Sequence, residues 1–336
     1  MCAKASSTFS RFRQDSKMRA LDVVTAGETM MAFEAQDYGP LEEVSFYKKW
    51  VGGAESNFSI GLARLGFRCG WFSRLGDDEF GKAIFKTIRG EGVDVSRVIF
   101  DAVFPTGVFF VERQAEGDLG CYYYRRDSAA AHLSRGDLDF GYIKSAKVIY
   151  LTGITPALSD SAREVSKEIC ELATSNKQML VFDPNLRLKL WSIHEARAVL
   201  IPLMVRSTFV LPGEDELMLL MDRAELAQAI ERAHEKGIEN LIVKQGEKGA
   251  SIAIAGKKTV RLPAFALTNP ISSMGAGDCF AAGFVAGLLK DQTLEECVRW
   301  ANAMGAFCLM GWGPYQTLPS FSRLQRFLAG AGEIAR

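Results

Sequence analysis

The stretch Ser272-Ser273-Met274-Gly275-Ala276-Gly277-Asp278 runs straight into an apolar helical pattern. Phe280, Phe284 and Leu288 recur at four-residue spacing, with Gly283 and Gly287 between them. A helix beginning near Gly277 turns unpaired backbone N–H groups and the positive end of its dipole toward whatever lies above it, which suits an anion. Glycine lets the backbone approach a phosphate with no side chain in the way. Asp278 then sits at the anion site itself. A carboxylate repels phosphate, so it is out of place in a site that only binds. It fits a site where it takes a proton from a hydroxyl that attacks the phosphate. The competing reading is a glycine-rich helix start in which Asp278 steadies the dipole.

Two further stretches carry candidate chemistry. Gly52-Gly53 precede an amphipathic pattern that Gly66 closes. The glycine pair would let a ligand hydroxyl lie against backbone, and Asn57, one turn into the helix, can donate and accept. An ordinary strand–turn–helix unit explains the same residues. Tyr122-Tyr123-Tyr124-Arg125-Arg126 joins aromatic faces to two guanidinium groups. The alternative there is an edge strand with solvated arginines.

The elements that must position these groups follow an α/β rhythm. Strand patterns fall at Asp22–Glu28, Cys69–Ser73, Val148–Leu151, Met179–Phe182, Phe209–Leu211 and Leu241–Val243, with helical patterns between most of them. Pro212–Glu216 and Lys244–Ala250 are read as polar loops. Such alternation predicts a parallel sheet with ligands at the strands' carboxyl ends. Thr106–Glu112 and Gly120–Arg125 form a hairpin pattern joined by polar Gln114–Asp118, and it is expected to lie outside the main sheet with the Met30–Glu34 and Phe46–Trp50 strands.

Composition narrows the class. The 336 residues are 48% hydrophobic and 24% charged, enough for a substantial core. Lys+Arg 40 against Asp+Glu 40 gives no basic excess for nucleic acid. The seven cysteines are scattered without a C-x-x-C, which reads as reduced thiols of a cytoplasmic protein. The three histidines show no metal-ligand spacing. No apolar run is long enough to span a membrane. Residues 1–18 are polar, with Asp15 their only acid, and are expected to be a disordered tail before a domain over 19–336.

Gly275-Ala276-Gly277-Asp278 with its helix, together with Gly52-Gly53 and Asn57, resembles the ribokinase-type (PfkB) sugar kinases, in order over nearly the whole chain from about Leu21. The resemblance implies a three-layer α/β fold with a mostly parallel sheet and a small β-sheet lid, here from about 30–50 and 105–126. It implies ATP and Mg2+ as cofactors. Asp278 would be the general base, and Gly275, Ala276 and Gly277 the anion hole. Gly52, Gly53 and Asn57 would meet the sugar. Lys244, Gly246, Gly249 and Asn302 fall where the family holds the nucleotide. Glu216 matches the metal-linked Glu of an Asn-x-x-Glu motif, with Gly213 in place of the Asn.

Within that family the sequence is most similar to 2-keto-3-deoxygluconate kinases, through Val24–Glu28, Gly52–Glu55, Tyr123–Arg125, Leu151–Leu158 and Asp183–Arg187. Carried over, Tyr123, Arg125 and Arg187 contact an acid sugar, and arginine forks suit a carboxylate. Ser272 stands where the family usually carries an Asp, which leaves a monovalent-cation site open, and Phe109 stands at a lid position often Tyr. The expected partners are a sugar acid, ATP and a second copy of the chain through the lid's exposed edge, with no nucleic acid and no membrane. A kinase of a neutral ketose or nucleoside, or a non-catalytic sugar-binding descendant, are the alternatives.

Overall fold

The computed structural model describes residues 20–113 and 120–330. The expected tail and the Gln114–Asp118 connection lie outside the described residues.

Fourteen strands are described: β1 Leu21–Ala26, β2 Met30–Tyr38, β3 Tyr47–Gly52, β4 Cys69–Phe72, β5 Arg74–Gly76, β6 Ile99–Asp101, β7 Val108–Arg113, β8 Gly120–Tyr124, β9 Ala146–Thr152, β10 Met179–Asp183, β11 Phe209–Val210, β12 Asn240–Lys244, β13 Ala250–Ile254 and β14 Val260–Leu262. The main sheet has the order β14-β13-β12-β11-β10-β9-β1-β4. From β4 to β12 all neighbours are parallel. β1, β9 and β10 are buried along nearly their whole length, as strands covered on both faces must be. The chain leaves β1 for β4 on one side and later returns to β9 on the other. That reversal opens a crevice at the strands' carboxyl ends.

The Ala54–Arg64, Ala276–Leu289 and Leu294–Leu309 helices cover one face, with Phe58, Tyr150, Phe284 and Phe307 in the core beneath. Asp160–Ser175 and Ile193–Arg206 cover the other, over Ile149, Phe182 and Leu200. Gly283 and Gly287 now have a reason. A Cβ on Gly283 would stand 2.6 Å from the Trp300 carbonyl oxygen, and one on Gly287 2.7 Å from Cys297 Cα, so these glycines let the last two long helices touch backbone to backbone.

One expectation changes. Pro212–Glu216 does not stay a loop, because Glu214–Met221 is a helix. Its first turn carries Glu214, Asp215 and Glu216, which favour a helix start through the dipole. After β12 the sheet turns antiparallel through β13 and β14.

A separate mixed sheet has the order β3-β2-β7-β8. β2 pairs antiparallel with β3 and parallel with β7, and β7–β8 is the expected hairpin. Its inner face gathers Met30, Ala32, Trp50, Phe109 and Val111, with Met274 packed against them.

Candidate active site

The Ala276–Leu289 helix starts at Gly275, whose φ of 80° is left-handed and suits only glycine without strain. Asp278 lies in the first turn, 7% exposed. Asn57 Nδ2 donates to Asp278 Oδ2 at 2.8 Å, across 221 residues of chain. Asn185 Nδ2 approaches the other oxygen at 3.5 Å. Asn185 follows Asp183-Pro184 in a left-handed turn, with its own N–H donating to Asp183 Oδ1 at 3.1 Å. Burial pushes the Asp278 carboxyl above its ordinary value, against the Asn57 hydrogen bond and the positive charges of Arg187 and Lys244. The result is a carboxylate aimed by amides and made more basic by its surroundings.

A cation stands beside it. Lys244, at the end of β12, donates from Nζ to Asp183 Oδ2 at 2.6 Å. A Cβ on Gly277 would lie 3.4 Å from the same Nζ, so the ammonium adjoins the glycine turn. Burial alone disfavours this ammonium, but Asp183 and Glu216 outweigh it and hold its pKa above the ordinary value. Burial lifts the Asp183 carboxyl to about 6 while Lys244 opposes the rise.

Glu216 has both oxygens on backbone donors, from Leu186 N–H at 2.8 Å and Gly213 N–H at 2.7 Å. The second contact is half a capping box, and Gly213 has no side chain to return it. Glu216 thus ties its helix to the loop that carries Arg187. No group of three or more His, Cys, Asp or Glu among the described residues forms a metal cage. Asp183 and Glu216, whose charges both act on Lys244, are carboxylate oxygen donors of the kind magnesium takes.

Gly52 and Gly53 immediately precede the Ala54–Arg64 helix, of which Gly53 is the N-cap. A Cβ on Gly53 would stand 2.3 Å from the Glu28 carbonyl oxygen, and one on Gly52 2.7 Å from the Trp50 ring. Asn57 serves the base first, but its Oδ1 is buried without a protein partner and remains able to accept from a ligand. Gly246 and Gly249 bracket a short turn after β12, both with positive φ, and Gly246 has open space around it. Asn302 meets the segment that backs this turn: its amide donates to the Pro263 carbonyl at 2.9 Å, and a Cβ on Gly249 would stand 2.6 Å from the Pro263 carbonyl carbon.

The two arginines differ. Arg125 is 10% exposed and forms an ion pair with Glu28, itself buried and accepting from the Ser128 hydroxyl. It also faces the Tyr123 ring at 5.6 Å. The reading of a solvated Arg125 is therefore set aside. Arg187 is exposed and makes no ion pair with another described residue; the nearby Asp183 is held by Lys244. The Arg187 loop reaches the small sheet, since Lys189 Nζ donates to the Cys121 carbonyl at 3.0 Å. Burial raises the Tyr123 phenol, and the Arg187 charge partly offsets this. Glu28, Asn185 and Glu55 end or lie within stretches that carry the resemblance, but the sequence assigned none of them a role; Glu55 is wholly buried and accepts from Thr152 at 2.6 Å and Thr155 at 3.0 Å. Burial lifts the Glu55 carboxyl to about 7. Each acts through a partner far away in the chain, which a local pattern does not identify.

The chain is 35% identical over 311 residues to a 2-dehydro-3-deoxygluconokinase of Bacillus subtilis (strain 168), covering 92% of this chain and 96% of that protein. The crystal structure of a PfkB protein from Polaromonas sp. JS666 superposes with a TM-score of 0.83 at 34% identity, covering 91% of this chain and 99% of that one. A putative ribokinase II from E. coli, in complex with ATP and Mg2+, superposes at 0.85 with 25% identity, covering 92% and 99%. The model of the pfkB family carbohydrate kinases matches residues 20–320, so the chain belongs to that family.

Proposed function

We propose that the protein transfers the γ-phosphate of ATP to a primary hydroxyl of a small sugar acid, 2-keto-3-deoxygluconate (2-dehydro-3-deoxygluconate). The observation that carries this is Asp278, aimed by Asn57 at the start of a glycine-led helix with the Lys244 ammonium alongside. In this reading Asp278 takes the proton of the attacking hydroxyl. The backbone of Gly275, Ala276 and Gly277 and the Lys244 charge stabilise the transferring phosphoryl group. Glu216 is the carboxylate that would hold magnesium arriving with the nucleotide, and that ion would supply positive charge to offset the phosphates. Gly246, Gly249 and Asn302 line the nucleotide's place.

The acid substrate is supported by Arg187, an exposed guanidinium whose charge acts on Tyr123, and by the likeness to the 2-dehydro-3-deoxygluconokinase of Bacillus subtilis. A neutral sugar leaves that charge without a partner. Tyr123 and the rest of the small sheet act as the lid that closes over the sugar and excludes water. The exposed Tyr38, Phe46, Tyr122 and Tyr124 on that sheet support pairing with a second copy. Free cysteines among the described residues, and no described helix long and apolar enough to cross a membrane, accord with a cytoplasmic enzyme.

A coupled ADP-release screen over sugar acids, ketoses and nucleosides tests the reading. The highest kcat/KM is expected on 2-keto-3-deoxygluconate. A preference for fructose or a nucleoside would overturn the substrate, and no turnover of any acceptor would favour the sugar-binding descendant.

A further inference from the structure

The backing of the glycine turn is held by sulfur. Cys279 directly follows the base and Cys308 lies near the end of the Leu294–Leu309 helix, both wholly buried. Cys279 Sγ stands 3.1 Å from the Pro314 carbonyl oxygen. Cys308 Sγ stands 3.2 Å from the Met274 carbonyl oxygen and 3.3 Å from that of Pro314. A thiol has one proton to give, so two thiols can serve two carbonyls: Cys279 to Pro314 and Cys308 to Met274. These two residues shape the turn. Met274 precedes Gly275, and a Cβ on Gly275 would stand 2.5 Å from the Pro314 ring.

Neighbouring carbonyls are engaged in the same way. Leu309 accepts from Ile271 N–H at 2.7 Å, and Phe307 from the Thr317 hydroxyl at 2.6 Å. Ser272 Oγ accepts from Met274 N–H at 3.3 Å. A monovalent cation needs carbonyls free to turn toward it and gains from a carboxylate. Here the carbonyls already face neutral donors, and Ser272 brings no charge. The residues present do not fit such an ion.

We propose that Cys279 and Cys308 are positioning residues for the anion hole, their S–H···O=C hydrogen bonds taking the place of a monovalent cation, so that phosphoryl transfer by this chain does not require potassium. This rests on the reading of Gly275–Asp278 as the phosphoryl-transfer site. Burial, and then the adjacent Cys308, push the Cys279 thiol well above its ordinary range, which keeps it a donor.

The test compares potassium chloride with tetramethylammonium chloride at equal ionic strength, with ATP, magnesium and 2-keto-3-deoxygluconate. Wild-type kcat is expected to agree within about twofold, and the melting temperature without substrate to be equal in the two salts, since a bound ion would raise it. Cys308→Ala should lower kcat about fivefold, the weight of one modest hydrogen bond, with KM for the sugar unchanged. Cys308→Ser, which keeps a donor, should recover most of that loss. Potassium stimulation of wild type by more than about tenfold, or a melting temperature raised by potassium, would overturn the proposal. So would a Cys308→Ala kcat equal to wild type, or a serine variant as impaired as alanine. Should Cys308→Ala not fold, the wild-type salt comparison decides. If another sugar is turned over instead, only the substrate reading falls, and the same comparison is run on that sugar.

Discussion

At the start of the Ala276–Leu289 helix, charged groups are paired within one rigid scaffold: Asp278 with Asn57 and Asn185, Asp183 with Lys244, Glu216 with two backbone N–H groups. Across the crevice the small sheet leaves capacity unspent. Arg187 beside it is exposed, Arg125 Nε and Glu34 Oε1 are buried without partners, and Tyr122 and Tyr124 face solvent. In the proposed reading, phosphoryl transfer needs fixed geometry, and the main sheet's carboxyl edge is where such geometry is found. Recognition of one sugar needs groups that gain partners only when the sugar arrives.

The sharpest way to break that division is at the base. Asp278→Asn keeps the size and the Asn57 contact but cannot accept a proton. It should lower kcat by ~10²–10⁴-fold while leaving sugar and ATP binding near wild type, measured by calorimetry. A kcat near wild type would move the chemistry elsewhere. Because burial raises the Asp278 carboxyl, wild-type kcat/KM should fall on acidification at a pH above the ordinary carboxylate range.

How much of this was legible beforehand divides along the same line. The glycine turns, the strand–helix order and the hairpin are written in local periodicity, and they folded as read. The Asp278 helix starts at Ala276, one residue from the expected place. What stayed hidden is long-range. Lys244 meets Asp183 across 61 residues, and Glu28 meets Arg125 from another element. No local pattern marks either pair. The Glu214–Met221 helix is a different kind of miss. Its acidic first turn was visible, but the Pro212-Gly213 start outweighed it in a reading by turn residues.

The two arginines test the recognition side. Arg125→Ala strands the buried Glu28 carboxylate, so it should cost about 3–5 kcal/mol of stability and reduce activity on any sugar. Arg187→Ala leaves no buried charge behind. It should cost about tenfold to a hundredfold in kcat/KM on 2-keto-3-deoxygluconate, much less on fructose, with the melting temperature unchanged. Denaturant unfolding and paired kinetics separate the two. Equal losses on both sugars for Arg187→Ala would remove the case for an acid substrate.

Glu55 marks a flaw within the scaffold, since its Oε2 is buried with no partner. Its carboxyl rises from 4.5 to about 7 on folding. The folded state therefore holds this proton more tightly than the unfolded chain. The associated stability is present in full below about pH 4.5, is lost as pH rises toward 7, and stays lost above it. Glu55→Gln imitates the protonated acid. It should match wild type near pH 4 and exceed it by roughly 3 kcal/mol near pH 8, read by urea unfolding at both pH values. A variant weaker than wild type at pH 8 would mean the ionised carboxylate has a partner in solution.

The smallest effect is expected where the chain departs from its family. Gly213 stands at the N-cap of the Glu214–Met221 helix, with φ −70° and ψ 157°, a conformation open to any residue. Its N–H already donates to Glu216, so asparagine there would add the missing half of the capping box. A Cβ would lie 3.3 Å from Glu216 Oε2, close enough that the carboxylate must give slightly. Replacing glycine by asparagine at an N-cap gains only about a few tenths of a kcal/mol. Gly213→Asn should therefore raise the melting temperature marginally and leave kcat within about twofold, because Glu216 keeps its hold on Leu186 and on the Arg187 loop. A severalfold gain in kcat would show instead that the glycine had cost the scaffold its geometry, and that the division between a finished chemical site and an adaptable sugar site is less clean than the distances imply.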